Sequence, residues 1–176
     1  NHERRQSNEL VTKRMSFIPQ GGNWRNIPKD LGTGGGTYSN AYKRLDPRKP
    51  SVTIKHAAKA MIIHPTENRI LTVRECARLQ SFDDNFVLTG NCSDQHQQLA
   101  NAVPPLLGKA IAEEIEDKLK EKGLYPGGRE GMDSAYWILM DYSDVIVHIF
   151  NKESRDFYGI EHLWADAKVI NTEELL

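Results

Sequence analysis

Few groups in this sequence could do covalent chemistry. Its two cysteines, Cys76 and Cys92, stand apart, the first after Glu75 and the second after Asn91, with no Cys-x-x-Cys pair and no clustered histidines. A zinc site needs such a ligand set and a disulfide framework needs paired cysteines, so neither a metal nor a bridge is expected. That cysteine usage fits a reducing, cytoplasmic setting. His148 lies in an apolar run and reads as a structural histidine rather than a base or ligand. The chemistry written more plainly is nucleic-acid contact. Trp24 with Arg25, then Tyr38, Tyr42, Lys43 and Arg44, set aromatic rings among cations in a glycine-rich region, and Arg48 and Lys49 extend the basic run. Rings of this kind stack on or wedge between bases while their neighbours meet phosphates. The amides of Gln20 and Asn23 suit adenine edges, and the Arg25 fork suits guanine.

Charge divides the chain. Residues 1–80 carry 15 Lys and Arg against 6 Asp and Glu, a net of +9, whereas residues 81–176 carry 8 against 18, a net of −10. A basic half is what a phosphate backbone requires, so the reversal marks a composition boundary. The 176 residues allow one domain or two small ones. No apolar run approaches the roughly 18 residues of a membrane span and no signal peptide is visible, so no membrane partner is expected. The sequence opens at Asn1 amid charged residues and reads as a piece of something longer.

The elements that must position these groups follow from local signals. Glu3–Met15 reads as a short helix, and Gly32-Thr33-Gly34-Gly35-Gly36-Thr37 as irregular. Val52–Ile54 and Ala60–Ile63 read as short strands, the second closed by His64-Pro65. Thr72-Val73-Arg74-Glu75 is a capping box opening a helix to about Ser81. A second helix begins near Ser93, and Pro104-Pro105 breaks it or starts a third. In that third helix Leu107, Ala110, Ile111, Ile115 and Leu119 share an apolar face, and Gly123 stops it. Tyr136–Tyr142 and Val145–Phe150 form a hairpin around Ser143-Asp144. Glu153–Trp164 supplies a short helix or two, and Asn171–Leu176 a frayed tail.

Two resemblances fall on these segments. Thr72-Val73-Arg74-Glu75-Cys76-Ala77-Arg78-Leu79-Gln80-Ser81-Phe82 resembles the ninth motif of cytosine-5 DNA methyltransferases. Gln98–Pro105, with Asn101-Ala102-Val103-Pro104, resembles their tenth, and Arg44–Ile54 the end of their target recognition domain. Asp83 stands where that family has proline, and Ala100 where it has glycine. The resemblance implies double-stranded DNA as partner, a buried structural ion pair for Arg74 and Arg78, and Asn101 and Ala102 beside an S-adenosylmethionine pocket. It also exposes what is missing. Carbon-5 methylation needs a thiolate on a flipped-out base and an assisting acid. The family supplies these in Pro-Cys and Glu-Asn-Val, with a glycine-rich strand–turn–helix for the cofactor. None is present here, and Glu67-Asn68-Arg69 is no substitute. The chain alone is therefore expected to have no catalytic residues, and to use S-adenosylmethionine only if the missing part is supplied.

Residues 111–167 carry the second resemblance. Glu116–Gly123, Glu130-Gly131, Trp137–Phe150, Arg155-Asp156-Phe157-Tyr158 and Leu163-Trp164 are similar to the C-terminal half of ribosomal silencing factors, with Ser143 where glycine is usual. Phe86-Val87, Thr89-Gly90-Asn91 and Ser93-Asp94 resemble that family's preceding strand and turn. The family is not enzymatic. It binds a large-subunit ribosomal protein and blocks subunit joining, which implies a partner surface at Trp137, Asp141, Tyr158 and Trp164. The expectation is thus a composite: residues 1–117 methyltransferase-like, residues 118–176 silencing-factor-like, with ribosomal silencing as the alternative function. The fold class expected is α/β with α+β character: an irregular basic recognition region, central helices, and a small mixed β-sheet with flanking helices.

Overall fold

A computed structural model of the chain describes residues 2–33, 41–150 and 152–170, apart from the side chains of Lys152, Glu153 and Trp164. The glycine run 34–36, Tyr38 and the tail Asn171–Leu176 lie outside the described residues. Helix α1 spans Glu9–Ser16, shorter than Glu3–Met15, because the Asn8 carboxamide accepts from the Val11 amide at 2.8 Å and fixes the start there. Short 3₁₀ turns at Trp24–Asn26 and Lys29–Leu31 follow. Neither expected strand forms. Residues 52–54 are irregular, and Ala57–Ala60 is a one-turn helix, α2, opened by the His56 imidazole accepting from Lys59 and ended by Met61 at φ 53°. Only Ile63 reaches strand-like pairing, bridging Arg44 on one side and Ile70 on the other.

Helix α3, Val73–Leu79, has the expected capping box: Thr72 Oγ1 accepts from Glu75 N at 3.2 Å, and Glu75 Oε2 accepts from Thr72 N at 2.8 Å. Helix α4, Cys92–Asn101, has a second box from Asn91 and Asp94. Val103 precedes Pro104, so the chain must leave the helical region there, and α5 begins afresh at Pro105 and runs to Lys120. Gly123, at φ 76°, closes it by donating to Lys120 O.

Three antiparallel strands follow in the order β1-β2-β3: Gly128–Glu130, Trp137–Asp141 and Ile146–Phe150. The hairpin forms in the register Trp137↔Phe150 to Asp141↔Ile146. The sheet is wholly antiparallel rather than mixed, and the architecture is α+β. Helix α6, Lys152–Tyr158, and a 3₁₀ turn at Ile160–Trp164 end the described chain.

Packing gathers three clusters. Met15, Ile18, Ile27, Tyr42, Ile63 and Ile70 hold the N-terminal region, and Leu45, Ile62, Leu71, Cys76, Phe82 and Leu99 hold α2, α3 and α4 together. Ala112 with Ile138 and Met140 seats α5 on the sheet. This last contact rotates the expected face of α5: Ile115 packs against the cluster as expected, but Leu107 and Ile111 do not. The helix buries Pro105, Gly108, Ala112 and Glu116, whereas Leu107 is 52% and Ile111 41% exposed. Small residues let the helix axis approach the sheet closely, and that approach selects the face. Glu116 is tolerated there because Lys120 and Arg129 each reach its carboxylate at 2.8 Å.

Candidate functional site

The recognition region is built on a loop zipped to a distant segment. Gly21 N donates to Arg44 O, Arg44 N to Gly22 O, and Trp24 N to Ala41 O, all at 3.1 Å. Gly21 sits at φ 75°, a conformation open to glycine, and this lets the loop turn against Asp46. Asn23 caps the 3₁₀ turn, its carboxamide oxygen accepting from Arg25 N at 3.1 Å. Trp24 is half-buried against the first cluster, with Arg25 exposed and stacked 5.4 Å from the ring centroid. Gln20 is exposed and makes one long contact, 3.4 Å, to Pro65 O. Lys43 is half-buried, its ammonium donating to Gly21 O. Arg48 holds Asp46 through two contacts at 3.0 and 3.2 Å and remains at the surface beside exposed Lys49. The loop holding Gln20, Asn23, Trp24 and Arg25 is thus tied to the segment 41–46, which leads into Arg48 and Lys49.

Arg44 has another role. It is buried, and all five of its N–H donors are engaged: Nε to Ile18 O, one amino group to His64 O and Glu67 O, the other to Met15 O and Asn68 Oδ1, at 2.6–2.8 Å. It clamps two backbone segments, 15–18 and 64–68, and has no donor left for a phosphate. Arg74 and Arg78 also differ from the expected buried ion pair. Arg74 is buried but donates to carbonyls, Asp83 O at 3.0 Å and Phe86 O at 2.6 Å. Arg78 does pair with a carboxylate, Asp84 at 2.7 and 2.8 Å, but at the surface. The sheltered ion pair belongs to Arg69 and Glu75, two contacts of 2.8 Å that sequence reading missed. Burial alone would raise the Glu75 carboxyl, but Arg69 and the Thr72 amide overturn that and hold it at about 2. Glu75 also forms the wall of an apolar cavity of about 380 Å³ with His64, Leu71, Leu79, Lys49 and Arg78.

The tenth-motif residues do not stand at the head of a helix. Asn101 is the last residue of α4, exposed, and accepts from Gln97 Nε2 at 3.0 Å, while Ala102 is in the extended link beyond it. At the true start of α5 the Leu106 amide already donates to Ser81 Oγ at 3.1 Å. Asn101 and Ala102 also lie outside the walls of the 380, 610 and 280 Å³ cavities. Asn101 thus offers a carboxamide at the end of α4, already held by Gln97, and not the free amides of a helix start.

The thiols are not arranged for attack. Cys76 is fully buried, and burial together with Glu75 and Cys92 pushes its thiol up to about 12. Cys92 is exposed on the first turn of α4. Near it His56 Nδ1 accepts from Lys59 N, so its proton is on Nε2, facing Ser93 Oγ at 3.1 Å. That tautomer donates to the serine and cannot take its proton. No group of three or more His, Cys, Asp and Glu able to hold a metal occurs among the described residues, and none of their helices is long and apolar enough to cross a membrane.

A second surface lies on the sheet. Side chains alternate along β2, so Ile138 and Met140 face α5 while Trp137, Leu139 and Asp141 share the opposite face. Trp137 Nε1 donates to His148 Nδ1 at 3.1 Å, which satisfies the histidine and fixes its tautomer. Tyr158 meets Trp137 at 4.7 Å between ring centroids, and Phe150 meets it edge-on at 5.6 Å. Asp141 closes the far end by accepting from Ser143 N at 2.8 Å. Trp137, Asp141 and Tyr158 thus share a face, and Phe157, highly exposed against Tyr158, joins them without having been expected. The Trp164 side chain lies outside the described residues.

Comparison with known proteins finds both families. The family model for "Ribosomal silencing factor during starvation" matches residues 51–176. The chain is 43% identical over 115 residues to the type II methyltransferase M1.HphI of Haemophilus parahaemolyticus, covering 65% of this chain and 30% of that protein. It is 34% identical over 130 residues to the type II methyltransferase M.AquIB of Picosynechococcus, covering 68% of this chain and 88% of that one. It is 43% identical over 65 residues to the ribosomal silencing factor of Bacillus subtilis, covering 37% and 55%. The chain thus spans about a third of the first methyltransferase but nearly all of the second.

Proposed function

The chain belongs to the ribosomal silencing factor during starvation family through residues 51–176 and, over 68% of its length, to the type II methyltransferases, and on that premise we propose that it is the DNA-recognition part of a cytosine-5 DNA methyltransferase, carrying a silencing-factor-like module. Its role is to bind duplex DNA. The nucleophilic thiolate, the assisting acid and the S-adenosylmethionine cleft come from protein outside these residues. The observation that carries the non-catalytic half of this reading is the state of Cys76: buried and held at about 12, it presents no thiolate near neutral pH. The recognition half is supported by the hydrogen bonds that tie the Trp24–Arg25 loop to the segment 41–46, which leads into Arg48 and Lys49.

Anisotropy of a labelled duplex across a salt series tests it. Affinity is expected to fall linearly on a log–log scale, and Arg25→Ala and Lys49→Ala each to shallow the slope by about 0.9. Arg44→Met instead costs about 3 kcal/mol or more of stability, because it orphans the carbonyls that Arg44 satisfies. Salt-independent binding, or none, overturns the reading.

The uncovered aromatic face of the sheet supports a second activity, capture of the large ribosomal subunit through Trp137, Asp141 and Tyr158. Aromatic anchors of this kind carry much of an interface's energy. Co-sedimentation with isolated large subunits is expected, weakened about 30-fold by Tyr158→Ala. Failure to co-sediment removes this activity and leaves the DNA reading standing.

A further inference from the structure

Beside α3 lies the cavity of about 380 Å³ that neither functional reading uses, and its volume is that of a small-molecule site. Its apolar walls are Leu45, Pro47, Pro65, Leu71 and Leu79, of which Leu45 and Leu71 are buried and Leu79 is 46% exposed. Neither Cys76 nor Cys92 is among its wall residues, so it is no pocket for thiol chemistry.

Two polar groups of the wall are arranged as a pair. His64 Nδ1 accepts from the Glu67 and Thr66 amides at 3.1 and 3.3 Å, which leaves the imidazole proton on Nε2. Burial, ahead of the neighbouring Arg69, lowers the His64 pKa, so the ring is neutral near pH 7. Nε2 stands 3.9 Å from Glu75 Oε1, too far for a hydrogen bond, and among the described residues that N–H has no other acceptor. Glu75 Oε1 accepts from Arg69 at 2.8 Å and keeps a lone pair. The wall thus offers a donor beside an acceptor, with exposed Lys49 in the same wall.

We propose that this cavity binds a nucleotide, its base between the apolar walls with one edge on His64 Nε2 and Glu75 Oε1, and its phosphate on Lys49. Every nucleobase carries an acceptor beside a donor on its Watson–Crick edge, the complement of that pair. A tryptophan or tyrosine ring has no such edge, and an asparagine amide has the edge but no ring to fill the walls. Inside a duplex the edge is already paired. The base is therefore an unpaired one, from an extrahelical nucleotide of bound DNA or from a free nucleotide. The first source rests on the DNA-recognition reading; the cavity itself does not.

Anisotropy of the full chain with three labelled duplexes tests the proposal. One is fully paired, one carries a bulged adenine, and one an abasic residue at the bulge, which keeps the flexibility without the ring. The bulged adenine is expected to bind about tenfold more tightly than the abasic bulge, the contribution of one stacked base. A bulged purine lacking the exocyclic amine cannot donate to Glu75 and is expected to fall between them. Leu79→Trp fills the cavity from its exposed side and is expected to remove the preference while leaving affinity for the paired duplex unchanged. Ser51→Trp does the same from the 45–51 segment if the first variant folds poorly.

Calorimetric titration with adenosine 5′-monophosphate, without DNA, reads the free source. Binding there that Leu79→Trp abolishes supports the cavity even if no duplex binds. Paired-duplex binding with neither a bulge preference nor nucleotide binding overturns the proposal and leaves the DNA reading standing. A bulge preference that survives both tryptophan variants also overturns it, because the base then lies elsewhere.

Discussion

Arg44 and Arg74 are surrounded by carbonyls, and their geometry separates structural from functional arginine. Each ties loop backbone whose C=O groups would otherwise be buried without donors. Nothing in the sequence distinguishes Arg44 from its neighbour Lys43 or from Arg48, because its acceptors lie 20 to 29 residues away. His96 shows the same dependence on surroundings. It is buried beside His56, and desolvation first, then His56 and Arg5, depress its imidazole from 6.5 to about 4. Between those values the unfolded chain carries a proton that the folded chain does not, so unfolding takes one up. The stability contribution of His96 is therefore complete above about pH 6.5 and is lost as the pH falls to about 4, on the order of 3 kcal/mol in all. His56 is shifted in the same direction and adds to the slope, while Glu75, held at about 2, acts only below its ordinary range. Thermal melts should show the midpoint falling from pH 7 to pH 5, and His96→Phe should flatten that fall. Equal slopes for the two proteins would rule out a buried neutral imidazole.

Elements whose signals are local could be read from the sequence. The capping box of Thr72 and Glu75, the double proline at 104–105 and the hairpin strands all act within a few residues, and each appears where its residues place it. Ala60–Ile63 could not be read that way. Tyr42 N donates to Ala60 O and Ile63 N to Lys43 O, so the conformation there is imposed by a segment nearly twenty residues earlier. The hairpin turn carries a strain of its own: Ser143 sits at φ 68°, a left-handed conformation that costs an L-residue about 1 kcal/mol. Ser143→Gly is expected to stabilise the chain by about 0.5–1 kcal/mol in urea unfolding, with no change in the cooperativity parameter. Destabilisation would mean that the hydroxyl contributes more than the strain removes.

The helical region and the sheet are joined by packing as well as by α5. Tyr136, just before β2, packs against both Phe82 and Phe86, at 5.6 and 4.6 Å between ring centroids. Below it a cavity of about 610 Å³ is lined from both sides, by Asn85 and Ser81 on one and Asp133 and Ser134 on the other. The segment after α3 and the segment leading into β2 are thus tied by an aromatic cluster. Tyr136→Ala is expected to cost about 2–3 kcal/mol, and to separate the melting of α3 and α4 from that of the sheet. Hydrogen exchange across both parts reads this directly; protection that falls equally everywhere, or not at all, would show that the ring does not couple them.

What the sequence determined by itself was composition and local order: the charge reversal, the order of the motifs, the absence of an activated thiol motif, and the helices and hairpin marked by caps, prolines and alternation. The tertiary structure alone decided which cation is buried and which is free, and which face of α5 is inside. Apolar periodicity pointed to Leu107 and Ile111, but closeness of approach chose Gly108 and Ala112, so the larger side chains remain at the surface. Periodicity measures how much apolar area a helix carries. Packing is decided by how near the sheet can come, and that depends on residues far away in the chain.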